Sequence, residues 1–125
     1  LGSGSMPTGH YMEHGLELTV GTDVAAGRTF SVPEVLASAY DNGRARGIEI
    51  PLRTLLYWGT RGGALALGVP TVGHIAVGAD ADMCLVTMPD WITDEEGALN
   101  ALLFDRANTR VERTWVKGTV VYQTT

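Results

Sequence analysis

Asp23 is the residue of this chain best placed to do chemistry. It closes the run Leu16-Glu17-Leu18-Thr19-Val20-Gly21-Thr22-Asp23 and is followed by a loop of small residues, Val24-Ala25-Ala26-Gly27-Arg28-Thr29-Phe30-Ser31. Leu16, Leu18 and Val20 alternate with Glu17 and Thr19, a period of two that predicts a short strand with Asp23 at its C-terminal end. Strand C-terminal ends are where α/β folds carry their reactive groups. A carboxylate there can bind a metal, move a proton, or do both. The same residue type also closes turns and caps helices, and its local chemistry leaves both readings open.

The other candidates point to structural roles. His10 and His14 stand at i and i+4, so on a helix they share a face and could share a metal, but they lack the Glu of an HExxH site. His74 lies among β-forming residues and is read as a hydrogen-bonding group. Asp80 and Asp82 make an Asp-Ala-Asp turn, too short and too poor in ligands for a calcium loop. Arg28 and Thr29 belong to the loop after Asp23 and are read as solvated. That loop lacks both the Lys of a P-loop and the spacing of GxGxxG. Trp58, Trp91 and Trp115 are read as core or interface aromatics.

Composition removes several classes of function. Fourteen Asp and Glu against nine Lys and Arg give a net charge of −5, and the basic residues are scattered, so the electrostatic footprint of a nucleic-acid binder is missing. The apolar runs fall far short of the ~20 residues that span a bilayer, and no secretory signal is recognisable. A single cysteine, Cys84, excludes an internal disulfide and a CxxC metal knuckle. It fits a cytoplasmic setting, and its apolar neighbours predict a buried small hydrophobe.

The elements that must position Asp23 follow from period and punctuation. Residues 7–14 predict a short helix with Pro7 near its first turn and Gly15 at its end. Ser31 and Glu34 have capping-box spacing, which predicts a helix from Val32 to about Arg46, with Val35, Leu36, Ala39 and Tyr40 on its buried face. Pro51 opens another helix with Leu52, Leu55, Leu56 and Trp58 on its core face, and Gly59, Gly62 and Gly63 permit close approach of a neighbour. Beyond Val69 the pattern turns to short β segments at residues 72–77, 83–88, 111–117 and 119–122, with Lys117-Gly118 as a two-residue hairpin turn. Thr93 and Glu96 offer a second capping box, before a helix with Leu99, Leu102 and Leu103 on one face and with Glu95 and Glu96 in its first turn.

Three passages carry a resemblance. Leu1-Gly2-Ser3-Gly4, part of an opening to Ser5 that composition alone would allow as a linker, stands a helix and a strand ahead of the Gly-Thr-Asp-Val loop. The passage from Gly59 to Val86 reads GTRGGALALGVPTVGHIAVGADADMCLV, and the passage from Val111 to Tyr122 reads VERTWVKGTVVY. Together these resemble the C-terminal third of metal-dependent amidohydrolases, most nearly the guanine deaminases among them. The resemblance implies an α/β fold. It would be the C-terminal piece of a (β/α)8 TIM barrel, contributing the last strand and its helices over residues 1–68, plus part of a small composite β-sandwich over residues 69–125. A whole barrel takes about 250 residues, so the chain is expected to be a fragment, inactive alone.

The resemblance further implies that Asp23 is both the metal ligand and a catalytic residue, with one zinc ion in the complete site and the metal-binding histidines on strands this chain does not hold. Zinc lowers the pKa of water towards neutrality for attack on a purine, Asp23 takes or relays the proton, and a glutamate from another strand assists departure of ammonia. Guanine would yield xanthine. An s-triazine, an adenosyl compound or a cyclic amide is the alternative substrate, and a non-catalytic α+β interaction module is the alternative of another class. The zinc deaminases built on H-x-E and P-C-x-x-C are excluded by the single cysteine. The expected partners are a small-molecule purine and, from the open sheet edges, further copies of the chain as a homo-oligomer, with no nucleic acid and no membrane.

Overall fold

The computed structural model describes residues 4–125, so most of the Leu-Gly-Ser-Gly opening lies outside the described residues. Five helices and three strands follow one another as α1 (Thr8–Glu13), α2 (Val32–Ala45), α3 (Leu52–Gly59), α4 (Arg61–Ala66), β1 (Met83–Thr87), α5 (Glu95–Phe104), β2 (Arg110–Val116) and β3 (Thr119–Gln123). The helices supply the core. Leu36 of α2, Ile50, Leu55 and Trp58 of α3, and Leu103 of α5 are buried against one another. Met12, Leu18, Val20, Ala39 and Tyr40 pack around them, and removing such side chains from water is the main force holding these helices together.

The helix boundaries match the sequence pattern, but two caps do not. Ser31 precedes α2 without capping it. Its hydroxyl accepts instead from Arg106 Nη1, and the same guanidinium nitrogen reaches Glu34 Oε1 at 2.9 Å. Both members of the expected capping box are thus drawn to an arginine just beyond α5. At α5 the cap is Asp94 rather than Thr93, its Oδ1 accepting from Gly97 N at 2.7 Å. An ionised carboxylate one residue later outcompetes the threonine hydroxyl for the same orphan amides. The predicted helix after Pro51 is broken at Thr60 (φ −131°, ψ −95°) into α3 and α4.

The strands form one antiparallel sheet in the order β1-β2-β3, with Met83 opposite Trp115 and Val116 opposite Thr119. Lys117 (φ 48°) and Gly118 (φ 76°) make the expected two-residue turn, both in the left-handed conformation that such hairpins demand. The turn is clasped from outside: Lys117 N donates to Asp82 Oδ1 at 2.6 Å, and Gly118 N donates to the Ala81 carbonyl at 3.0 Å.

Beyond Val69 two expectations fail. Residues 72–77 form bends and turns, because Arg61 Nη1 donates to the carbonyls of Pro70 (2.5 Å) and Val72 (3.0 Å) and curls that segment around α4. Cys84 is exposed rather than buried, since no second layer covers its face of the sheet among the described residues.

Candidate functional site around Asp23

The segment leading to Asp23 is seated on the helical core from one side. Leu18 and Val20 pack inward while Glu17 and Thr19 are exposed, which is the predicted alternation, but Leu16, expected on the inner side, is exposed as well. Two hydrogen bonds fix it: Leu16 N to the Tyr11 carbonyl at 3.1 Å, and Thr19 Oγ1 to the Trp58 carbonyl at 2.8 Å. The predicted strand is nevertheless not part of a sheet, because none of the three strands lies beside it. A strand is defined by its ladder, and residues 16–23 have the side-chain pattern of one without the partner.

Asp23 ends this segment with its backbone in the left-handed region (φ 50°), and Ala25 two residues later is there too (φ 76°). Two non-glycine residues with positive φ so close together store strain, a feature that concentrates at functional sites. The turn is closed by the main chain: the Asp23 carbonyl accepts from Ala26 N at 2.9 Å and from Gly27 N at 2.5 Å. Gly27 approaches so closely that a Cβ on it would collide with the Thr22 carbonyl oxygen. The turn therefore uses the carbonyl of Asp23 and not its side chain. Among the described residues its carboxylate accepts no hydrogen bond, and the residue is exposed. That leaves a carboxylate held by a tight backbone turn and open to a ligand.

The remaining candidates have structural work. Thr29 Oγ1 accepts from Ser31 N at 3.0 Å, while Arg28 is exposed. His74 Nδ1 meets Arg61 Nη1 at 3.1 Å. Asp80 Oδ2 accepts from Thr71 Oγ1 at 2.8 Å, and Asp82 holds the hairpin turn, so the Asp-Ala-Asp passage is a structural turn. Trp58 is buried, Trp115 lies under the Arg113 guanidinium at 5.5 Å, and Trp91 is exposed. Sequence reasoning missed Arg61 and Arg106, whose guanidinium groups organise two loops. Arg61 was visible only as part of a motif, and Arg106 carried no local signal, because its partners Ser31 and Glu34 are far away in sequence.

Among the described residues, no three His, Cys, Asp or Glu side chains are gathered to hold a metal ion. Asp23 offers a single carboxylate, a hard oxygen ligand that suits a divalent cation but needs further ligands from elsewhere. Along residues 1–121 the sequence matches the amidohydrolase family. The chain belongs to that family.

Two curated relatives of this amidohydrolase chain carry more specific names. It is 33% identical over 135 residues to a "Probable guanine deaminase" of Deinococcus radiodurans, covering 98% of this chain and 31% of that protein. It is 29% identical over 121 residues to the guanine deaminase of Escherichia coli K12, covering 96% and 26%. Its fold superposes on the solved E. coli guanine deaminase with a TM-score of 0.85 at 26% identity, over 99% of this chain and 32% of the other. A guanine deaminase from C. acetobutylicum, solved with guanine in its active site, gives a TM-score of 0.80 at 24% identity, a likeness of fold, over 98% and 31%. The amidohydrolase chain thus spans between a quarter and a third of the length of the relatives it matches. No helix among its described residues is long and apolar enough to cross a membrane.

Proposed function

We propose that this chain supplies the last barrel strand, the helices that follow it and most of the composite sandwich of a zinc-dependent aminohydrolase that converts guanine and water into xanthine and ammonia. Residues 1–68 are the barrel portion and residues 69–125 the sandwich portion. The observation that carries the reading is the Asp23 carboxylate, exposed and without a hydrogen bond among the described residues, on a strained turn at the end of a segment packed on its inner side only. Similarity to proteins named guanine deaminases along nearly the whole chain supports guanine over the other ring substrates.

Asp23 would hold zinc together with histidines that other strands bring. Zinc in such a site supplies a water of near-neutral pKa. The chain's own contribution is to move a proton: a carboxylate oxygen of Asp23 takes it from the water that attacks C2 of guanine. The other proton of that water comes to rest on ring N3, the C2–N bond to the exocyclic amine breaks, and the proton taken by Asp23 leaves with ammonia. The turn closed by Ala26 N and Gly27 N fixes the Asp23 backbone from which the carboxylate projects.

The test is xanthine production and zinc content, measured on the 125-residue chain and on a polypeptide in which it follows an upstream segment completing the relatives' length. The longer form should turn over guanine and lose that activity in Asp23→Asn, while the 125 residues alone should not. A longer form with no turnover overturns the enzymatic reading. Turnover by the short chain overturns its dependence on further strands.

A further inference from the structure

We propose that His10 and His14 form a two-histidine chelate for a borderline divalent metal ion at the C-terminal end of α1. The two residues are one helical turn apart, both are exposed, and their ring centroids lie 4.3 Å apart at an interplanar angle of 45°. Their order is His10-Tyr11-Met12-Glu13-His14: His10 lies within α1 and His14 caps its C-terminal end with its backbone N–H on the His10 carbonyl, which keeps the i, i+4 pair on one side.

What distinguishes this pair from two adjacent surface imidazoles is the state of the second ring. His14 Nδ1 lies 2.7 Å from the carbonyl oxygen of His10, an acceptor that can only receive, so Nδ1 carries the hydrogen of that bond. Its Nε2 is then the free lone pair. Donation of the other ring N–H to a backbone carbonyl is the arrangement that orients metal-ligating histidines and raises their basicity. The carbonyl belongs to one of the last residues of a helix, where a cation is also favoured by the dipole. Among the described residues the His10 ring makes no hydrogen bond; it touches the His14 ring and the edge of Tyr11 at 5.7 Å, and as an exposed side chain it can turn a nitrogen toward the same point.

The ligand class follows from the donors. Two neutral imidazoles suit Cu²⁺, Ni²⁺ and Zn²⁺ and not the hard ions Mg²⁺ or Ca²⁺. No third His, Cys, Asp or Glu is gathered with them among the described residues, so water completes the coordination and the metal exchanges readily.

Isothermal titration of the untagged chain with NiCl₂, repeated with MgCl₂, tests this. Binding of one Ni²⁺ and no Mg²⁺ is expected. Loss of a direct ligand costs no less than loss of an outer-shell partner, so His10→Asn and His14→Asn should each weaken the nickel association constant by about tenfold or more. Cys84→Ser and His74→Gln should leave it unchanged. In a proton-detected spectrum, Ni²⁺ should broaden the His10 and His14 side-chain signals first. The proposal is overturned if both asparagine variants bind nickel like the parent, if the site follows Cys84 or His74, or if the parent binds no nickel. None of these outcomes depends on guanine turnover.

Discussion

The Thr19 hydroxyl donates to the Trp58 carbonyl at 2.8 Å, and this bond joins the segment that carries Asp23 to helix α3 in the place of a strand ladder. It also engages a carbonyl in the last turn of that helix, one of the groups left without an intrahelical partner. Thr19→Val keeps the shape and removes the donor. It should lower stability by about 1 kcal/mol, and hydrogen exchange should show faster opening of residues 16–23 than of the α2–α3 core.

Asp23→Asn separates chemistry from folding. Because the turn is closed by the Asp23 carbonyl, this substitution should leave the unfolding midpoint in urea almost unmoved, within about 0.5 kcal/mol. In the length-completed enzyme it should cut guanine turnover by about two to four orders of magnitude, the range of a lost proton-transfer group. A large loss of stability in the 125-residue chain would instead assign the carboxylate to the fold.

Strain in the same turn should be removable. Ala25 has φ 76° and no side-chain function, so Ala25→Gly is expected to raise stability by up to about 1 kcal/mol. Gly27→Ala should do the reverse, costing about 1–3 kcal/mol as the new Cβ meets the Thr22 carbonyl. Thermal unfolding of the two variants side by side measures both signs.

Leu55 has no exposed surface at the centre of the helical cluster. Leu55→Ala should cost about 2–5 kcal/mol, enough to shift the urea midpoint well beyond that of any loop variant. If it does not, these helices are not the stabilising core.

The cap of α5 gives a comparison within one turn. Asp94→Ala should lose about 1 kcal/mol, while Thr93→Ala should be close to neutral, because the Gly97 amide is taken by Asp94. Helical content and unfolding midpoint of the pair decide between the two caps.

These relationships show which features a linear sequence can convey. The core of α2, α3 and α5 was legible because Leu36, Leu55, Trp58 and Leu103 repeat at helical spacing, and the Lys117-Gly118 turn was legible because its backbone demand is local. Ser31 and Glu34 misled because their competitor, Arg106, lies 75 residues from Ser31 along the chain. Residues 72–77 have β-like composition, but the guanidinium of Arg61 holds two of the carbonyls around them in bends. Cys84 sits in an apolar string, yet its exposure depends on what covers the sheet, which no local pattern encodes. At the candidate site the period-two seating of Leu18 and Val20 could be anticipated, and aspartate tolerates the left-handed region that Asp23 adopts, but nothing about an alanine announces the positive φ of Ala25.

The clasp of Asp82 and Ala81 on Lys117 and Gly118 matters for anyone who engineers this chain. Hairpin tips usually tolerate inserted tags or reporter peptides, but this one is docked through two main-chain amides. A graft there would pull both strands away from the preceding loop, so a label for β3 belongs past Gln123, where Thr125 stands exposed.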